Sequence, residues 1–192
     1  MVEFILASGN AHKAEEFAEL FAGKIKVSAA PRGLSPDETG DTYTKNALIK
    51  ARAYYEEFGV PALADDSGLT VEFLPDILGV QSARFYPESS DYRVKCAEVL
   101  RLLKGVDKRA AYFTCVICCY LNPEEVYFFE GRVHGVIGEE YRGEKGFGYD
   151  PIFMPTRSEN DLKTMAELAE WKNIHSHRAK AAAAALAFFI PR

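Results

Sequence analysis

Strand-like and helix-like patterns alternate along this chain of 192 residues, and the alternation predicts an α/β fold, a mixed sheet flanked by helices. Three observations carry that expectation. An apolar run from Val2 to Leu6 ends in small polar residues and leads into a helical stripe. A second short apolar run, Ala62 to Ala64, ends in two acids and a turn-like Ser-Gly. Two long β-rich stretches, about 109–121 and 125–137, are joined through Asn122-Pro123, and so short a connection points to antiparallel pairing.

The elements follow in order. A strand at 2–7 precedes a helix at 11–22, in which Ala14, Phe17, Ala18 and Phe21 form the buried stripe, Asn10 is the N-cap, and Glu15 and Glu16 sit in the first turns where acids are favoured. A short strand near 25–28 leads to a helix from Thr42 to Phe58, closed by Gly59 and Pro61. A strand at 62–65, a β pair around 69–73 and a helix near 89–103 come next, then the two long strands. Ser176 is placed to cap a final alanine-rich helix. No linker or repeat divides the chain, so residues 1–192 are expected to form a single domain.

Composition narrows the function. With 23 Lys and Arg against 28 Asp and Glu, the net charge is −5, which argues against a nucleic-acid polymer as partner and is compatible with a nucleotide handled by local cations and a metal. The opening Met-Val-Glu lacks the basic region of a secretory leader, and the apolar tail Ala181 to Ile190 is about half of a membrane span, so no membrane association and a cytoplasmic location are expected. Cys115, Cys118 and Cys119 lie in an alternating β run and Cys96 stands apart. That spacing favours inert buried thiols in a reducing compartment over a zinc site or a disulfide framework.

Four segments carry chemistry. In Gly146-Phe147-Gly148-Tyr149-Asp150-Pro151 two glycines flank an aromatic ring that can stack on a planar base; the alternative is a tight turn around one buried aromatic. In Ala7-Ser8-Gly9-Asn10-Ala11-His12-Lys13 a lysine stands near a helix N-terminus, where it opposes the macrodipole unless a phosphate intervenes; the alternative is a lysine reaching into solvent. In Ala64-Asp65-Asp66-Ser67-Gly68 two acids end a strand, where carboxylates can hold a hard cation such as Mg²⁺. Adjacent strand residues point to opposite faces, so one of Asp65 and Asp66 faces the ligand and the other braces the turn; spacing leaves open which, and an ordinary Asx turn is the alternative. In Lys172-Asn173-Ile174-His175-Ser176-His177-Arg178 cations gather at a helix start. His175 and His177 are two apart, which does not favour a metal pair, and His175 is expected to be structural or solvent-facing.

Taken in order, ASGN-x-x-K, ETG at 38–40 before the helix bearing Asn46 and Lys50, LADDSGL at 63–69, SAR at 82–84, GFGYDPIF at 146–153 and KNIHSHR at 172–178 resemble the inosine triphosphate pyrophosphatases, also called XTP/dITP diphosphatases. The resemblance spans nearly the whole chain. It implies an elongated α/β fold of two lobes around a deep nucleotide-binding cleft, a homodimer, Mg²⁺ as cofactor, and hydrolysis of ITP, dITP and XTP to monophosphate and pyrophosphate. It implies that Asp66 accepts the proton and binds metal with Glu38. Ser8, Gly9, Asn10, Ala11, His12 and Lys13 would take the triphosphate, with Ser67 beside them and Lys172 as a further cation. Phe147, Gly148 and Tyr149 would hold the base, while Asp150, His177 and Arg178 would read its edge.

Three positions depart from the family's wording: Ser8 stands for a threonine and keeps the hydroxyl, Leu78-Gly79-Val80-Gln81 replaces Pro-Gly-x-Tyr, and His175 replaces an isoleucine. Two rival readings meet the same residues. A septum-formation-inhibitor type of nucleotide pyrophosphatase would lack the SHR and GFGYD segments. A non-catalytic nucleotide sensor would be expected to have lost Glu38 or Asp66, and both are present.

Overall fold

A computed structural model describes residues 2–8, 11–157 and 162–190, the side chains at 11 and 12 excepted. The expected N-cap, Asn10, and the predicted phosphate contact Gly9 lie outside the described residues, as do the side chains of Ala11 and His12. The elements are β1 Glu3–Leu6, α1 Ala11–Leu20, β2 Lys26–Ala29, α2 Tyr43–Phe58, β3 Ala62–Val71, α3 Tyr92–Leu102, β4 Ala110–Asn122, β5 Glu125–Ile137, β6 Phe153–Pro155, α4 Ala169–His175 and α5 His177–Phe189. The strands form a sheet in the order β2-β1-β3-β4-β5-β6. β1 runs parallel to β2 and β3, and β6 runs antiparallel to β5, so the sheet is mixed as expected.

The chain divides into two compact units made of interleaved segments: residues 1–67, 115–131 and 177–192 form one, and residues 68–114 and 132–176 the other. In the first unit, one apolar cluster packs Phe4, Leu6 and Leu63 with Phe17 and Phe21 of α1 and Ala181, Ala182 and Ala185 of α5. A second cluster packs Ala62, Ala64 and Val116 with Ala47, Ala51 and Tyr54 of α2. Alternate residues of one strand thus serve two cores, as the pleat requires. The second unit has its own core of Leu69, Val71, Cys96, Val99, Phe113, Val133, Ile152 and Phe153.

Local signals set the helix ends. Thr42 Oγ1 accepts from the Lys45 N–H at the start of α2, and Gly59 at φ 66° closes it with its N–H on the Tyr55 carbonyl. One expectation fails: the strand at 62–65 and the β pair at 69–73 are a single ten-residue strand, β3. Ser67 and Gly68 do not turn, because the backbone bonds available to an extended chain beside β1 and β4 outweigh a local Asx turn. All four cysteines are free and buried, and burial pushes the Cys96, Cys115 and Cys118 thiols up to about 12. Among the described residues no helix is long and apolar enough to cross a membrane.

Candidate active site

Asp65 and Asp66, neighbours on β3, enter two different charge clusters of the first unit. Asp65 is 3% exposed. Its Oδ1 lies 2.5 Å from Lys13 Nζ, and its Oδ2 accepts from Arg178 Nη2 at 3.1 Å and Nε at 3.3 Å. Arg178 also donates from Nη1 to Glu16 Oε1 at 3.1 Å. Burial alone would raise the Asp65 pKa; Lys13, Arg178 and Lys50 outweigh it and hold the carboxyl well below its usual range. Burial likewise opposes the charge of Arg178, and Asp65 and Glu16 keep it protonated.

Asp66 meets a different set. Residues 46 and 50 are one helical turn apart on α2 and share a face. Lys50 Nζ lies 3.1 Å from Glu38 Oε1 and 3.5 Å from Asp66 Oδ1, and Asn46 anchors the loop before α2 by accepting from the Gly40 N–H at 2.8 Å. Burial raises the Asp66 pKa, with Lys50 and Asn46 only partly opposing it. Its Oδ2 is buried and has no hydrogen-bond partner among the described residues. An orphaned carboxylate oxygen beside a second carboxylate is a hard-oxygen donor set that suits Mg²⁺. The described residues hold no group of three or more His, Cys, Asp or Glu side chains placed to bind a metal.

The second unit builds the predicted base turn. Gly146 and Gly148 take φ of 85° and 65°. A Cβ at Gly146 would come within 2.3 Å of Asp150 Oδ2, so glycine is required there by space as well as by backbone. Asp150, buried, accepts the Phe147 N–H at 2.9 Å and Lys172 Nζ at 2.5 Å. The turn leaves the Phe147 ring 55% exposed, with Lys172 Nζ 4.1 Å from its centroid. Lys172 therefore stands with Phe147 and Asp150. The Tyr149 side chain is buried, and its hydroxyl donates to the Ser82 carbonyl at 2.8 Å.

The remaining predicted residues fall as follows. Ser8, half-buried, lies two residues beyond the end of β1, and Ser67 lies within β3. His177, buried, opens α5 directly after Ser176, whose backbone is extended at φ −61°, ψ 163°. His175 is exposed and lies against Trp171, the rings tilted at 32° with centroids 5.1 Å apart. The sequence reading missed Glu16 as a partner of Arg178. The two are 162 residues apart, and no local pattern links them.

The Ham1 family model matches residues 4–188. The chain belongs to the Ham1 family. It is 41% identical over 191 residues to the dITP/XTP pyrophosphatase of Aquifex aeolicus, covering 94% of this chain and 93% of that protein. It is 42% identical over 188 residues to the dITP/XTP pyrophosphatase of Bacillus subtilis, with coverage of 94% and 93%. Among solved structures, the Staphylococcus aureus Ham1 protein superposes with a TM-score of 0.85 at 34% identity over 97% of both chains. A Ham1 protein from Coxiella burnetii gives 0.82 at 37% identity over 95% of both. A Ham1 assignment agrees with the mixed sheet and with the order of the motifs.

Proposed function

We propose that this Ham1-family chain hydrolyses deaminated purine nucleoside triphosphates, ITP, dITP and XTP, to the monophosphate and pyrophosphate. The observation that carries the reading is Asp66: a buried carboxylate with one orphaned oxygen, a raised pKa and Glu38 on the same lysine. It is supported by relatives named dITP/XTP pyrophosphatase at about two-fifths identity over most of their length.

Asp66 and Glu38 would hold Mg²⁺, which when bound supplies charge neutralisation for the triphosphate oxygens. Asp66 accepts the proton of the attacking water as its oxygen bonds to phosphorus; the anhydride bond between the α and β phosphates breaks and pyrophosphate leaves. A carboxylate pushed up by burial is a better proton acceptor than an exposed one. Lys50, between the two carboxylates, offsets their mutual repulsion before substrate arrives. Ser8, Gly9, Asn10, Ala11, His12, Lys13 and Ser67 are assigned to the triphosphate, with Asp65 orienting Lys13. Phe147 stacks on the base and Gly148 and Tyr149 shape its turn. Asp150 positions Lys172, and His177 reads the 6-oxo edge. For Arg178 to read that edge it would have to give up Asp65, so the geometry supports a role in holding Asp65. A donor facing a 6-oxo group meets the amino donor of adenine without a match, which costs about 1–3 kcal/mol.

A homodimer is proposed on the family resemblance, and the four free buried thiols support a reducing cytoplasmic setting. Product analysis by ion-exchange chromatography tests the reading: dITP with Mg²⁺ should give dIMP and pyrophosphate, and release of dIDP and orthophosphate would refute it.

A further inference from the structure

The Ser82-Ala83-Arg84 segment has no part in the chemistry above, yet three buried groups converge on it. Ser82, 4% exposed, accepts the Leu69 N–H at its Oγ at 2.9 Å, and its hydroxyl faces the Gly79 and Leu69 carbonyls at 2.5 and 3.0 Å. The Ser82 carbonyl accepts the Tyr149 hydroxyl. The next carbonyl, of Ala83, accepts Lys95 Nζ at 2.6 Å, and Lys95 is an ammonium only 4% exposed. Burying a lysine is costly unless its donors are used, so this one is committed to a backbone carbonyl beside the Tyr92 ring, whose centroid is 5.3 Å away. The same face of α3 touches the base turn directly. Tyr92 meets Tyr149 edge-on at 5.3 Å, and Cys96 Sγ lies 3.5 Å from the Gly148 carbonyl.

We propose that Lys95 and Tyr149 are positioning residues for base recognition, clamping two successive carbonyls, Ser82 and Ala83, so that the turn carrying Phe147 is held in one place before the purine arrives. The inference rests on the functional reading above, in which Phe147 is the stacking ring. The turn bears one glycine on each side of Phe147, both at positive φ, and has little stiffness of its own; Asp150 braces it from within and through Lys172, and the Tyr149 hydroxyl and the Cys96 thiol tie it to the rest of the unit. Loss of the Tyr149 tie leaves the turn formed and its location less defined. That should weaken the hold on the base and leave the phosphate contacts untouched.

The test uses the full chain with Mg²⁺ and three variants, Tyr149→Phe, Lys95→Met and Lys95→Arg. KM and kcat are measured for dITP, together with competitive inhibition by inosine, which has a base and no phosphate, and by tripolyphosphate, which has phosphates and no base. Tyr149→Phe and Lys95→Met should each raise KM for dITP and the inosine inhibition constant by roughly three- to tenfold, the range for one buried hydrogen bond. The tripolyphosphate constant should stay put, and Lys95→Arg should recover most of the loss. Inosine inhibition unchanged in Tyr149→Phe would overturn the proposal. So would equal weakening of inosine and tripolyphosphate, or failure of both Tyr149→Phe and Lys95→Met to fold, since each marks a general structural role. A wild-type protein inactive on every purine triphosphate would sink the functional reading, and the inference with it, before any variant is compared.

Discussion

Two adjacent aspartates on one strand end up with opposite electrostatics, and their substitutions should separate accordingly. The folded pKa of Asp66 is raised, chiefly by burial, so the fold favours its neutral form. That contribution to stability is present at acid pH and fades as pH rises through the folded pKa. Asp66→Asn should therefore hold or raise the melting temperature at pH 8 while cutting turnover by about 100-fold or more, the lower end for loss of a general base. Calorimetry and a pyrophosphate assay on the same preparation check both halves; a large drop in melting temperature with activity retained would refute the assignment. Asp65 runs the other way. Its folded pKa is depressed, so its stabilisation is complete above the usual carboxylate range and is lost only as pH falls through the depressed value. Asp65→Asn leaves the buried Arg178 and Lys13 short of a counter-charge and should cost about 3 kcal/mol or more in urea unfolding. A loss below about 1 kcal/mol would show that Glu16 alone suffices for Arg178.

At the scale of elements, the base turn and α2 explain what could be read from the residues and what could not. Gly146 was legible because glycine beside an aromatic and a carboxylate predicts positive φ and close approach, and the structure gives both. Gly146→Ala should dislodge Asp150 from the Phe147 N–H and raise KM for dITP more than it lowers kcat, as steady-state kinetics can read. Phe147→Ala removes a contact that every purine face makes alike, so kcat/KM should fall by similar factors on ITP and ATP. A changed ratio would mean that the ring reads the base edge. The ends of α2 were legible from Thr42 and Gly59, whose capping chemistry is local. The course of β3 was not: Ser67 and Gly68 carry turn signals, and only hydrogen bonding to neighbouring strands keeps the chain extended there. The pairing of Arg178 with Asp65 and Glu16 was not legible for the same reason, since these partners come from distant segments and charge alone does not say which groups a cation meets.

On the scale of the whole molecule, the alternating order of elements and the mixed sheet were visible in periodicity, while the division into two interleaved units was not, because β3, β4 and β5 each contribute to both and no composition shift marks the changeover. The residues proposed for phosphate and metal, Lys13, Glu38 and Asp66, belong with Asp65 to one unit, and Phe147, proposed to stack on the base, belongs with Asp150 and Lys172 to the other. Substitutions of the former should therefore act on turnover and metal dependence, and those of the latter on the hold on the base. The most direct test is kcat/KM for dITP, XTP, dGTP and dATP with Mg²⁺, in the wild type and in Asp66→Asn. Pyrophosphate release should strongly favour dITP and XTP, and Asp66→Asn should lower it by about 100-fold or more on every substrate without changing their order. Equal rates on dITP and dATP, or full activity in Asp66→Asn, would contradict this reading.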